Sequence, residues 1–195
     1  MDTQQLEGSV VTLVPLKEEH RPELVKLLID PLIWEYTWRK ISTSQQAHQL
    51  IDTAMVNQAM GTDIPYAVID RASGRIAGST RIMHLDYTHR NAEIGGTWIS
   101  PEYWRTPVNT ESKSLLLHHC FEDLNLIRVN FSIVSDNLRS QRAIERIGAV
   151  REGILRKQRL TAGGAALDNA LYSIIDDEWP AVKDNLHYLL NVKYK

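Results

Sequence analysis

Two hydrophobic rhythms alternate along this chain. Val10-Val11-Thr12-Leu13-Val14-Pro15 is rich in β-branched residues and stops at a proline, which predicts a first strand. From Glu18 to Ile29 the apolar positions fall at Leu24, Leu27 and Leu28, a helical spacing, and Asp30-Pro31 closes that helix. Ser42-x-x-Gln45 has the form of a capping box. It opens a second helix to about Met60, with Ala47, Leu50, Ile51 and Ala54 on one face and Gly61 as the stop. Three strand-like runs follow, Pro65 to Asp70, Arg75 to Leu85 and Asn91 to Ile99. The first two are joined by an Arg71–Gly74 turn, and hairpin spacing makes all three antiparallel neighbours.

The rhythm then changes. A helix is predicted from Ser112 to Leu124, with Leu116, Leu117, Cys120, Phe121 and Leu124 on one face. Arg128 to Val134 reads as a strand, so strand, helix and strand from Asn91 to Val134 imply a parallel pair joined by a right-handed crossover. Asp136 or Asn137 can cap a helix that runs to Ile147 and stops at Gly148. Val150 to Arg159 and Leu167 to Ile175 are strands around a Gly163-Gly164 turn, and a last helix follows Asp176 with Pro180 in its first turn. The expected architecture is α+β: a single domain over 1–195, with a mixed, mostly antiparallel sheet.

Composition removes several function classes. The 195 residues carry a net charge of −2 and no basic run, so a nucleic-acid backbone is not an expected partner. One cysteine excludes an internal disulfide and suits a reducing cytoplasm. The N-terminus, Met1-Asp2-Thr3-Gln4-Gln5, lacks an apolar signal core, and no run approaches the roughly 20 apolar residues of a membrane span. A cytoplasmic protein with no membrane partner is the expectation. Cys120 lies on the apolar helix face and reads as a small hydrophobe rather than a nucleophile. His118 and His119 are adjacent, so they point in different directions on a helix and form no i, i+4 metal pair; no metal is expected.

Chemistry must therefore lie elsewhere. There is no G-x-G-x-x-G, no G-x-x-x-x-G-K-[ST] and no G-x-S-x-G. Two strand-to-helix turns remain. The first, Ser100 to Lys113, combines a helix N-terminus with Arg105, the makings of an anion site, although an ordinary connection would read the same way. Trp34, Tyr36 and Trp38 fall within five residues between two helices, where they either line a substrate pocket or cover the core under a loop.

The second turn is Asp136 to Gly153. Asn137, Ser140, Ile144, Gly148, Ala149 and Gly153 fit the pattern Asn-x-x-Ser-x-x-x-Ile/Tyr-x-x-x-Gly-Ala/Phe-x-x-x-Gly, and here the chain resembles the GNAT superfamily of acetyl-CoA-dependent N-acetyltransferases. Leu6 to Leu16 looks like that family's first strand, Glu93-Ile94-Gly95 like its fourth, and Ser100-Pro101-x-x-Trp104 like the approach to its pyrophosphate loop. The similarity is closest to the branch containing ribosomal-protein N-terminal acetyltransferases.

The resemblance implies a sheet of about seven strands with helices on both faces. Acetyl-CoA would lie between splayed fourth and fifth strands, here Ala92–Ile99 and Arg128–Val134. It implies direct attack by a primary amine, either a protein N-terminus or a small molecule, in a ternary complex; a homodimer is the family's habit. Trp98, Ile99, Ser100, Trp104, Arg105, Thr106, Val108, Asn109, Thr110, Asn137 and Ser140 would hold the cofactor, with a backbone N–H near Ile99 meeting the oxyanion. Ser140 would face the sulfur, where a serine one turn into a helix otherwise bonds only locally. Glu93, a carboxylate on an apolar strand, is the candidate general base, with Glu152 and a water chain as rivals. Trp34, Tyr36, Trp38 and Trp98 would shape the acceptor pocket.

One departure stands out. The superfamily's loop usually reads Gln/Arg-x-x-Gly-x-Gly/Ala, and Pro107 and Asn109 occupy the glycine positions. Proline has no N–H to give a phosphate. Arg105, the Asn109 side chain and the N–H groups of Asn109 to Glu111 are the expected substitutes. The same departure leaves open a non-catalytic acyl-CoA-binding or protein-interaction module.

Overall fold

A computed structural model describes residues 4–194, so Met1–Thr3 of the polar N-terminus lie outside it. The strands are β1 (Leu6–Glu7), β2 (Val11–Pro15), β3 (Ile64–Asp70), β4 (Ile76–Asp86), β5 (Asn91–Ile99), β6 (Arg128–Val134), β7 (Val150–Leu160) and β8 (Ala166–Ile175). The helices are α1 (Arg21–Leu28), α2 (Ser44–Ala59), α3 (Val108–His118), α4 (Leu138–Ile147) and α5 (Trp179–Tyr188). One sheet runs in the order β1-β2-β3-β4-β5-β6-β8-β7. Every neighbouring pair is antiparallel except β5 and β6. The sheet has eight strands rather than seven because the first is split: Gly8 turns the chain back and a two-residue β1 pairs with β2. The expected fourth and fifth strands are therefore β5 and β6.

Two hydrophobic clusters flank the sheet. Leu13, Tyr66, Ile82, Ile94, Leu116, Leu117, Phe131, Ile147 and Tyr172 pack between the sheet and α3–α5. Leu24, Leu28, Trp34, Leu50, Ile51, Ile76 and Trp98 pack under α1 and α2 on the other face. Burying an apolar stripe from each helix is the main gain, at about 25 cal/mol per Å² removed from water. Cys120 is fully buried in the first cluster, as its place on the apolar face predicts. Its thiol pKa is pushed up by burial.

Two helix starts differ from expectation. The α2 N-cap is Thr43, one residue later than the Ser42 box: Thr43 Oγ1 accepts from Gln46 N–H (3.3 Å), and Gln46 Oε1 accepts from Ser42 N–H (2.9 Å). Thr43 and Gln46 thus make only half of a capping box, since the Gln46 side chain reaches past the cap to the residue before it. The larger difference is α3, which begins at Val108 instead of Ser112, with Pro107 as its N-cap. Proline lacks only an N–H that the first turn would leave unused, so it starts a helix at no cost. A wider π turn, His119–Asp123, then continues α3 toward the predicted end.

The feature that positions the site is the brevity of the parallel pairing. β5 and β6 match at Asn91–Arg128, Ala92–Val129 and Glu93–Asn130, and then separate. The cause lies on the other side of β5. Its pairing with β4 shifts between Ser79–Trp98 and Arg81–Gly95, so β5 carries an extra residue there, and Gly96 takes φ +54°. A bulge of this kind bends the strand and increases its local twist. The distal half of β5 is turned away from β6, and a cleft opens between their C-terminal ends.

Candidate active site

The cleft is lined on one side by the distal edge of β5. Ser100 N–H donates to Ala77 C=O toward β4 (2.8 Å). Alternation along the strand therefore aims the Ile99 N–H and C=O at the opposite edge, into the cleft. The indole N–H of Trp104 donates to that Ile99 carbonyl (2.8 Å). A short turn, Pro101–Tyr103, follows, then Arg105 in the left-handed region at φ +64°. Thr106 Oγ1 donates to Tyr103 C=O (2.6 Å), and the chain enters α3 at Pro107.

This earlier start moves the set of unbonded amides. Glu111 N–H already donates to Pro107 C=O (2.9 Å) and Val108 N–H to Thr106 Oγ1 (3.4 Å), so the unbonded amide donors of the first turn are Asn109 and Thr110 rather than Asn109 to Glu111. Two of the expected side chains are occupied or placed differently. Thr110 is 1% exposed, and its hydroxyl accepts from Arg146 (2.9 Å). Arg105 lies on the exposed surface of the loop.

The helix is anchored from below by Glu111. Its buried carboxylate accepts from Ser9 N–H (2.9 Å), Ser9 Oγ (2.7 Å), Val10 N–H (2.7 Å) and Val11 N–H (2.6 Å). The β1–β2 hairpin thus clasps the first turn of α3. Gly8 is part of the clasp: a Cβ there would sit 2.4 Å from Glu111 Oε2. Two residues on, Lys113 is also buried, and its Nζ donates to Thr97 Oγ1 (2.6 Å) at the β5 bulge. Burial pulls its pKa down to about 7. Neither residue was distinguishable in the sequence from the polar face of a surface helix.

The other side of the cleft ends at the N-terminus of α4. Asn137 caps it, Oδ1 accepting from Ser140 N–H (3.0 Å), and Ser140 is half-buried in the first turn. Gly148 closes the helix at φ +111°, where a Cβ would meet Val182 at 2.9 Å. Gln141 ties α4 to the sheet, donating to Ser135 C=O (2.6 Å) and accepting from Tyr172 (3.0 Å). Arg139 joins the two sides: its guanidinium lies 4.1 Å from the Trp104 ring and 5.6 Å from Tyr36. Trp104, bonded to Ile99, thus lies against Arg139 in the first turn of α4, the turn that Asn137 caps and that holds Ser140.

Glu93 sits where β5 and β6 part, opposite Asn130. Its side chain is 17% exposed and lies 3.4 Å from His84. Burial raises its pKa, against the opposing pull of His84 and Arg159. The rival Glu152 differs in kind: it is bound by Arg128 and Ser173, and Arg128 holds its pKa at about 2. A carboxylate so acidic is a poor proton acceptor.

The aromatic cluster divides. Trp34 is 6% exposed in the core under α1 and α2, with its indole N–H donating to Leu28 C=O (2.7 Å). Trp98 is buried in the same cluster. Tyr36 and Trp38 remain on the open side, where Trp38 faces the guanidinium groups of Arg39 (4.6 Å) and Arg159 (5.5 Å). Period-two spacing in a loop does not reveal which rings turn inward.

The whole arrangement can be compared with known proteins. A model described as an acetyltransferase (GNAT) domain matches residues 11–150. The chain belongs to the GNAT acetyltransferase family. It is 29% identical over 140 residues to an uncharacterized N-acetyltransferase, YoaA, of Bacillus subtilis, covering 72% of this chain and 78% of the relative. It superposes on a GCN5-related N-acetyltransferase from Brucella melitensis with TM-score 0.89 and 29% identity, over 99% of this chain and 88% of that one. A spermidine N-acetyltransferase from Vibrio cholerae, solved with CoA and spermine, shares the fold at TM-score 0.74 and 20% identity, over 89% of this chain and 99% of that one. Among the described residues no group of metal-ligating side chains comes together, and no helix is long and apolar enough to cross a membrane.

Proposed function

We propose that this protein transfers an acetyl group from acetyl-CoA to a primary amine by direct attack in a ternary complex. The observation that carries this reading is the splay at Glu93–Asn130, which leaves the β5 edge facing a cleft between two helix N-termini with a half-buried carboxylate at its apex. The residues suit acetyl-CoA. The β5 edge offers strand-like pairing to an extended amide chain. The amides of Asn109 and Thr110, with Arg105, offer positive potential to phosphates despite Pro107. Acetyl-CoA supplies a thioester carbonyl and a thiol leaving group.

Each residue then has a defined task. The Ile99 N–H donates to the carbonyl oxygen as negative charge develops on it. Glu93 receives the proton that the amine must lose, and its raised pKa brings it nearer to neutral operating pH. The Ser140 hydroxyl donates to the departing sulfur. Asn137 holds the α4 terminus in place for that hydroxyl.

Thiol release from acetyl-CoA, measured over a panel of peptides and small amines, tests the reading. Amine-dependent release is expected. Tight acetyl-CoA binding with no turnover of any amine would replace this reading with an acyl-CoA-binding module.

A further inference from the structure

Beside Glu93 the chain gathers positive charge that it does not neutralise. Arg81 on β4 is 9% exposed, and its side chain runs under the β5 bulge: a Cβ on Gly96 would lie 2.5 Å from Arg81 Nε. That Nε has no hydrogen-bond partner, and the nearest carboxylate, Asp63, is 3.8 Å from Nη1. Asp63 is itself shared with Asn57 (3.0 Å). Arg39, from the α1–α2 connection, and Arg159, from β7, approach the same place around Trp38, and Arg159 Nε is also buried without a partner. The Arg39 pKa is lowered, first by burial and then by the nearness of Arg81 and Arg159. Arg159 in turn pulls on Glu93. Of the three guanidinium groups, Arg81 has Asp63 at 3.8 Å and Arg159 acts on Glu93, which also lies 3.4 Å from His84.

Guanidinium groups brought together from three separate elements, one buried and two partly buried, repel one another, and a buried N–H with no partner loses its hydration. A planar fork of donors matches a carboxylate or phosphate better than any other ligand group. We infer that the acceptor amine carries an acidic group, bound by Arg39, Arg81 and Arg159, which sets its nitrogen beside Glu93. This rests on the acetyl-transfer reading for the amine, but not for the acid site. It also makes a polyamine a poor acceptor, since its second ammonium would meet the arginines.

Two measurements separate the acid site from the chemistry. The first is calorimetry of glutarate, a dicarboxylate with no amine, on the wild-type chain and on an Arg39→Gln/Arg159→Gln variant whose fold is checked by circular dichroism. Binding that weakens at least tenfold in the variant is expected. No binding, or equal binding to both chains, overturns the inference. The second is kcat/KM for matched amines: glycylglycine against glycylglycinamide, phosphoethanolamine against ethanolamine, and cadaverine. At least a tenfold preference for an acidic member is expected, collapsing toward parity in the variant, and the pair with the larger ratio identifies carboxylate or phosphate. A preference for cadaverine, or a ratio unchanged in the variant, overturns the inference while leaving acetyl transfer intact. Arginine-dependent glutarate binding without consumption of acetyl-CoA by any amine would sustain the acid site and sink the transfer reading instead.

Discussion

Two charge sites in this protein are built in opposite ways. Glu111 is a single carboxylate, and the chain surrounds it with four donors from Ser9, Val10 and Val11. Arg39, Arg81 and Arg159 are three cations, and the chain leaves two of their Nε groups unmet and the nearest carboxylate to Arg81 at 3.8 Å. A charge whose hydrogen bonds are complete within the chain holds structure together. A charge group left incomplete in a pocket raises the energy of the empty protein and lowers that of a complex with the right ligand. The saturated site fixes the helix that would meet the cofactor, and the unsaturated one includes Arg159, whose charge acts on the candidate base.

Breaking the saturated site has the largest expected effect on stability. Glu111→Ala strands three backbone donors in the β1–β2 hairpin and should cost about 3–5 kcal/mol, as removing one partner from a buried charged network does. Urea unfolding measures it, and a cost below about 1 kcal/mol would mean that the hairpin rehydrates and the clasp is not structural. On the catalytic side, Glu93→Gln should lower kcat/KM by about 10²–10⁴-fold, the usual contribution of a general base. In the wild type the rate should rise with pH through the raised Glu93 pKa, because the group must lose its proton to work. The variant should lack that limb, and a retained limb would assign it to another group.

Smaller effects sharpen the contrast between the two helix termini. Asn137→Ala removes the cap of α4 and should cost about 1 kcal/mol in thermal or urea unfolding. Arg105→Ala should weaken CoA binding by the equivalent of about 0.3–1 kcal/mol, with a loss that fades as salt rises. Calorimetry at two ionic strengths checks this, and a salt-independent loss would point to a packing role instead. The smallest change is the most telling. Arg39→Gln and Arg159→Gln, taken singly, should leave unfolding free energy within about 0.5 kcal/mol of wild type or raise it, since each relieves repulsion within the group. A large destabilisation would show that these arginines are structural after all, like Glu111.

What could be read in advance follows from how far each signal reaches along the chain. The α4 terminus was legible because cap, first-turn serine and closing glycine lie within one helix length, and each satisfies a local rule. The strands of the β3–β5 meander were legible to within a residue or two by apolar runs and turn residues. The start of α3 was not, because Pro107 looks like a helix breaker until its place at the N-cap is known. Trp34 and Trp38 have the same chemistry four residues apart, and only packing under α1 and α2 sends the first inward and leaves the second beside Arg39.

The sequence alone determined the α+β order, the crossover that makes β5 and β6 parallel, and the Asn137–Gly153 motif by which the family resemblance was seen. These rest on interactions between near neighbours, whose pattern survives in one dimension. Tertiary structure alone decided where β5 and β6 separate, which amides of α3 remain free, that Glu111 reaches back about a hundred positions to the first hairpin, and that Arg39 and Arg159 converge on Trp38 within electrostatic reach of one another. Those depend on a bulge in one strand and on the convergence of distant elements. Burial then decides which charges are satisfied and which remain available to bind.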